Sequence, residues 1–304
     1  MKTKTLIFSL IAATAGNAFA GIFTPDAYEK KYAASVLERS AFYAPVWGGT
    51  YKAKWEEIIK SDPNARAVVI HLHGCGGLAG HESIVAGFMS FRLGLAVITP
   101  DFTARPGNKT GCPGKFGDHA DMLAGGGQRM KQGLYTALNS DRMDARTDDV
   151  EYIVEYIKTL TNKPIIISGH SEGARTAYHY NKVDPQIVGI ALHQQSCTPR
   201  YSHIFRLPTT YKTWQSLDSS DPWAMGANEG VLDCGSKFPD EHKANFTLYR
   251  QNGSNHDPLN SMGMKISFGK WVNELLGGEW KMTPFDNEAL LPAIQKKFEL
   301  KKSD

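Results

Sequence analysis

The sequence is poor in cysteine: four among 304 residues, with no C-x-x-C pair and no two closer than 37 positions. Structural zinc sites draw their ligands in close pairs, so that spacing excludes one. A charge excess is also missing. There are 34 Lys and Arg against 31 Asp and Glu; without Lys2 and Lys4, which fall in a segment read below as cleaved, 32 remain against 31. A nearly neutral chain argues against electrostatic capture of DNA or RNA. No apolar run reaches the ~20 residues a membrane span requires. Proline- or glycine-rich tracts, internal repeats and long linkers are absent as well. Polytopic membrane proteins, collagen-like chains and low-complexity chains are thereby set aside, leaving a globular chain that is 41% hydrophobic.

What is present begins with an address. Lys2 and Lys4 precede an apolar stretch from Leu6 to Ala15, broken by Ser9 and Thr14, and Ala18-Phe19-Ala20 is a small-x-small cleavage site. This is the layout of a secretory signal peptide, and no Cys follows to take a lipid. Residues 1–20 are expected to be removed, giving a periplasmic or secreted product without membrane insertion. In an oxidising compartment Cys75, Cys112, Cys197 and Cys234 are expected to form two disulfides, among three conceivable pairings.

From Arg66 onward short β-branched runs alternate with loops and helical stretches. Ala67–His73, Leu95–Thr99, Pro164–Ser168, Ile187–Leu192, Tyr211–Gln215 and Asn245–Arg250 read as strands. Glu82–Leu93, Thr147–Thr161, Glu172–Val183 and Met262–Leu276 read as helices; in the second, Val150, Ile153, Val154, Ile157 and Leu160 form one apolar stripe. Near-continuous apolar strands between helices predict an α/β fold, a mostly parallel sheet covered on both faces. The expected layout is a leader (1–20), a lead-in (21–64) with a candidate edge strand at Thr50–Glu57, one catalytic domain (65–281), and a helical tail (282–304). All four cysteines then follow strands at the carboxyl edge. Nearest-neighbour pairing, Cys75 with Cys112 and Cys197 with Cys234, closes two loops without crossing the sheet.

The strongest chemical signal is Gly169-His170-Ser171-Glu172-Gly173, a G-x-S-x-G with an apolar strand before it and a helix-former after it. On such a strand-to-helix turn a serine is exposed as nucleophile, and side chains at the flanking glycines would collide with backbone. A second signal is His73-Gly74-Cys75-Gly76-Gly77, where a glycine-rich loop can aim backbone N–H groups at an oxyanion. The N–H of Cys75, or of Gly76, together with that of Glu172 would form the hole. Gly74-x-Gly76 is too short a match for a dinucleotide fingerprint. His71 and His73 share a strand face, but no acidic residue accompanies them in the strand, so neither metal nor cofactor is expected.

A serine nucleophile needs a base and a carboxylate to orient it. Five histidines follow Ser171. His179 lies on the nucleophile's own helix, His193 and His203 precede any candidate acid, and His242 precedes the last strand. His256, in the polar loop after that strand, is the expected base. Asp221, heading Asp221-Pro222-Trp223, is favoured over Asp218 as the acid. Trp214, Trp223 and Phe102 are candidates for lining a pocket, and Arg175 reads as a solvated helix arginine.

Together with Ala96-Val97-Ile98-Thr99-Pro100-Asp101-Phe102 and Asn255-His256-Asp257, these segments resemble the dienelactone-hydrolase-like branch of the α/β-hydrolases over residues 60 to 280. The resemblance implies the α/β-hydrolase fold and the same triad. Dienelactone hydrolases proper use a cysteine nucleophile; Ser171 here points to esters, small or polymeric, rather than dienelactones. A peptidase or amidase with the same triad, and a binding protein of this fold without turnover, are the alternatives.

Overall fold

All six apolar runs form strands, and a seventh strand arises where the sequence did not mark one. The structure, a computed structural model, describes residues 30–45, 55–78, 80–104, 134–197, 205–224 and 231–278. The leader, Cys112, His203 and the tail from 282 lie outside the described residues. In chain order the elements are α1 (Lys30–Glu38), β1 (Ala41–Tyr43), α2 (Trp55–Ser61), β2 (Ala67–Leu72), α3 (Gly80–Leu93) and β3 (Leu95–Thr99). Then come α4 (Leu134–Leu160), β4 (Ile165–His170), α5 (Glu172–His179), β5 (Ile187–His193), β6 (Lys212–Asp218), β7 (Phe246–Gln251) and α6 (Met262–Leu276).

The strands form one sheet in the order β1-β3-β2-β4-β5-β6-β7, parallel throughout except for β1 against β3. Alternation along each strand divides the core between two faces. Val68, Ile70, Leu72, Ile165 and Ile167 pack with Ile59, Val150, Ile153, Ile157, Ala174 and Tyr178, under α2, α4 and α5. Ala67, Val69, Ile166 and Trp214 pack with Val85, Met89, Phe268 and Trp271, under α3 and α6. The stripe expected on α4 is thus where the helix meets the sheet. No helix among the described residues is long and apolar enough to cross a membrane.

Of the edge strand expected at Thr50–Glu57, residues 50–54 lie outside the described residues, and the rest is corrected. From Trp55 the chain is helical, with Trp55 and Ile59 one turn apart and both buried. The antiparallel edge is Ala41–Tyr43, whose Phe42 stacks on Trp55 at 4.5 Å and 11°. Burying an aromatic pair between helix and edge strand outweighs the weak strand bias of the segment.

Cys197 and Cys234 are bonded as expected, with Cα atoms 5.0 Å apart. Cys75 is also disulfide-bonded.

Candidate active site

β4 lies in the middle of the sheet and ends in the tight turn at Ser171, which has φ 53° and ψ −115°. Positive φ on a residue with a Cβ costs of order 1–3 kcal/mol and persists only where the surroundings enforce it. The neighbouring glycines show what enforces it. A Cβ on Gly169 would lie 2.3 Å from the Gly173 oxygen, and one on Gly173 would lie 1.9 Å from the Leu72 oxygen. Strand, turn and helix therefore approach backbone to backbone. The Ser171 N–H donates to the His193 oxygen at 3.0 Å, and α5 starts at Glu172.

Beside this elbow runs the loop after β2. Cys75 and Gly76 occupy its turn, closed by the Gly77 N–H donating to the Gly74 oxygen at 3.3 Å. Gly77 has φ 78°, the left-handed region that suits glycine. Arg146 of α4 braces this loop to the elbow. Buried and lying over the Phe102 ring at 4.2 Å, it donates to the His73 carbonyl at 2.6 Å and pairs with the Glu172 carboxylate. His73 donates from Nδ1 to the Gly74 oxygen at 2.6 Å and accepts the Phe102 N–H at Nε2. Burial first, then the Arg146 charge, lowers the His73 pKa to about 4, so it braces the loop as a neutral ring.

The carboxyl ends of β6 and β7 bring the expected base and acid together. His256 Nδ1 donates to Asp221 Oδ2 at 2.6 Å, while Trp223 stacks over the imidazole with centroids 5.7 Å apart. His256 Nε2 is shielded from solvent. Burial pushes the Asp221 carboxyl up to about 7, against the downward pull of the Trp223 and Ala224 N–H groups. Asp218 has a different post: it accepts from Gln194 at 2.7 Å, Gln251 at 2.8 Å and Asn260 at 2.8 Å. It ties down the loop that carries His256. The loop also meets the elbow directly, since His170 Nε2 donates to the His256 carbonyl at 2.8 Å.

The other described histidines have structural partners. His179 donates to Asp144 at 2.6 Å, and His242 bonds Thr209 at 2.7 Å. His193 Nε2 donates to the Ser168 hydroxyl, which in turn faces His71 Nδ1, both at 3.0 Å. Burial holds His193 well below its ordinary range.

Sequence reasoning missed Glu82. It projects from the first turn of α3, is 2% exposed, and collects N–H groups from His71 at 2.7 Å, Gly74 at 3.0 Å, His170 at 3.0 Å and His81 at 3.2 Å. Burial alone would raise its pKa, but the hydrogen bonds from His170, His71 and His81 outweigh it and hold the carboxyl well below the usual range. The acidic partner that β2 itself lacks thus comes from the following helix. His81, Glu82 and His170 lie close enough to share a cation, yet the same atoms are accounted for by hydrogen bonds to the carboxylate.

Three further expectations need correcting. Trp214 is fully buried against His193 and Phe268, and Phe102 is fully buried beneath Arg146, so neither lines a pocket. Arg175 is buried rather than solvated, donating from Nε to Gln195 at 3.0 Å.

A parallel sheet of this order, an antiparallel edge strand, a strained serine between β4 and α5, and an Asp–His pair after β6 and β7 together define the α/β-hydrolase fold. Neither a protein family nor a curated protein matches the sequence. Among solved structures, an esterase of Pyrococcus furiosus is similar at 15% identity and TM-score 0.45, over 70% of this chain and 85% of its own. Est1E of Butyrivibrio proteoclasticus is similar at 12% identity and TM-score 0.45, over 79% and 94%. A cold-adapted esterase from an Arctic intertidal metagenomic library follows at 16% identity and TM-score 0.44, over 69% and 83%.

Proposed function

We propose that the protein is a serine hydrolase of carboxylic esters, akin to the dienelactone-hydrolase-like branch in its motifs but with a serine nucleophile. The observation that carries this is the elbow serine, held at positive φ between two glycines that admit no side chain, in the same site as a 2.6 Å His–Asp pair. Ser171 attacks the acyl carbonyl, His256 takes its proton, and Asp221 holds the imidazole in the tautomer that carries H on Nδ1. N–H groups of Cys75 or Gly76 and of Glu172 receive the oxyanion, and water then releases the acyl group by the reverse proton path. No metal or cofactor takes part in this scheme.

Labelling by a fluorophosphonate probe tests it. The wild type should label, Ser171→Ala should not, and p-nitrophenyl ester turnover should fall by ~10⁶ in that variant. Undiminished turnover would end the assignment. Ester against amide panels separate this reading from a peptidase. Export follows from the N-terminal layout and accords with the Cys197–Cys234 bond. N-terminal sequencing of the periplasmic or secreted product should begin at Gly21; an intact Met1 would refute cleavage.

A further inference from the structure

His170 sits between two acceptors. Its Nε2 lies 2.8 Å from the His256 carbonyl oxygen, and its Nδ1 lies 3.0 Å from Glu82 Oε1. A carbonyl oxygen only accepts, so Nε2 carries a hydrogen. Glu82 in turn has donors on both oxygens: the Gly74 N–H and His81 on Oε1, His71 on Oε2. That set leaves no room for a carboxylic proton, and Glu82 stands in the first turn of a 14-residue helix, where the dipole favours an anion. An ionised carboxylate also only accepts, so Nδ1 carries a hydrogen too. The ring is 4% exposed, with the His256 ring centroid at 5.0 Å and the His81 ring at 4.9 Å. The Gly74 backbone runs close beside it: a Cβ added there would lie 3.3 Å from His170 Nδ1.

We propose that His170 is a positioning residue, an imidazole whose two ring nitrogens clip the His256 carbonyl to the buried Glu82 carboxylate and so set where the proposed base stands. This rests on the Ser171–His256 reading of the site. The clip acts on the backbone of the base itself, so its loss shifts the imidazole without touching the substrate. A displacement near 1 Å is enough to cost ~10²-fold in rate.

The test has a kinetic and a spectroscopic arm. With p-nitrophenyl acetate, His170→Ala should lower kcat by ~10² with KM within about twofold, because only the reacting geometry changes. His170→Gln, whose amide N–H can reach the carbonyl, should recover about tenfold of that, the value of one restored hydrogen bond. Imidazole ¹⁵N NMR on the Ser171→Ala protein should show hydrogen-bonded N–H on both His170 nitrogens, independently of activity and of any folding defect in the His170 variants. A bare ring nitrogen on His170, or wild-type kcat in His170→Ala, overturns the clip. Turnover surviving in Ser171→Ala overturns the triad and the clip's purpose together. Turnover lost in Ser171→Ala but full in His170→Ala overturns the clip alone.

Discussion

Replacing Gly173 by Ala tests whether the elbow is held by backbone contact. The added Cβ would lie 1.9 Å from the Leu72 oxygen, 2.5 Å from its carbonyl carbon and 2.8 Å from the His73 oxygen. All three obstacles are backbone at the end of β2, so no rotamer change relieves them. Real Cβ contacts essentially never fall under 3.0 Å, so α5 and β2 must part by at least about 1.1 Å, the difference between 3.0 and 1.9 Å. That opens the space between Ser171 and the Cys75–Gly76 turn, which the proposed function makes the oxyanion hole. Overpacking of this kind costs ~3 kcal/mol, the upper end of the usual range, because the obstacle is rigid. For a domain of this size that lowers Tm by about 6–12 °C. The activity loss should be at least ~10²-fold in kcat/KM, from misplacement alone. Gly87→Ala in α3 is the control, since a Cβ there meets nothing within 4 Å. A helical glycine replaced by alanine gains ~0.5–1 kcal/mol, so Tm should rise slightly with activity unchanged. Thermal denaturation and ester kinetics on both variants suffice. A Gly173→Ala protein with native Tm and native kcat/KM would refute the argument.

Asp221→Asn should lower kcat by ~10⁴, the cost of losing the tautomer that makes His256 a base. Asp218→Asn should cost far less in kcat but ~1–3 kcal/mol in denaturant stability, because three side-chain donors lose their anion; the reverse ordering would transfer the acid role to Asp218. Asp221 also sets a pH trend. Its pKa is raised by burial to about 7 in the fold from 3.8, so its favourable contribution is full below pH 3.8 and is lost as pH rises through about 7. The Tm of Asp221→Asn relative to wild type should therefore climb between those values and level off above, by no more than ~4 kcal/mol equivalent; a flat difference across that window counts against it. Arg146→Ala removes a buried ion-pair partner of the Glu172 carboxylate and should cost ~3–5 kcal/mol, read from urea unfolding. Opening the Cys197–Cys234 bond, a separation of 37 residues, should cost ~4 kcal/mol by loop entropy, read by comparing Cys197→Ser/Cys234→Ser with wild type.

Where one physical signal dominates a segment, the sequence is readable. Leu95–Thr99 and Met262–Leu276 coincide with β3 and α6 to the residue, because the first is a pure β-branched and apolar run and the second has a Ser261 cap whose hydroxyl accepts from Met264. The elbow was legible because steric exclusion writes itself as glycine. The meeting of Asp221 with His256 was legible because the order of strands brings the loops after β6 and β7 to one edge. The first half of α4 was not. Residues 134–146 show no apolar stripe, though Met143 and Arg146 within them are buried. A buried arginine is paired by Glu172 and the His73 carbonyl, which lie 26 positions downstream and 73 upstream, and periodicity carries no trace of such partners. Trp214 misleads for a related reason: its position near a strand end suggested a pocket, but its indole is spent in the core, donating to Ser267 at 3.1 Å.

Glu82 shows how far the site differs from the core on which it stands. Burying a carboxylate is costly unless it is fully hydrogen-bonded, and a hydrophobic side chain of similar volume would serve the fold at least as well. The fold nevertheless gathers Glu82, Arg146, Glu172, Asp218 and Asp221, all buried, at the carboxyl edge of the sheet. Toward the opposite edge the buried Asp184 is met by Lys158 at 2.6 Å beside solvent. Four of these buried charges orient a particular partner. Arg146 fixes the His73 carbonyl, Asp218 the loop bearing His256, Asp221 the imidazole, and Glu82 the ring of His170. Packing alone would leave these groups free to slide, since dispersion and burial are non-directional. Hydrogen bonds to ions are directional and short, so they hold a base and a loop to within fractions of an ångström. The cost in stability falls where the proposed chemistry needs geometry, and the apolar strands on either side make up for it.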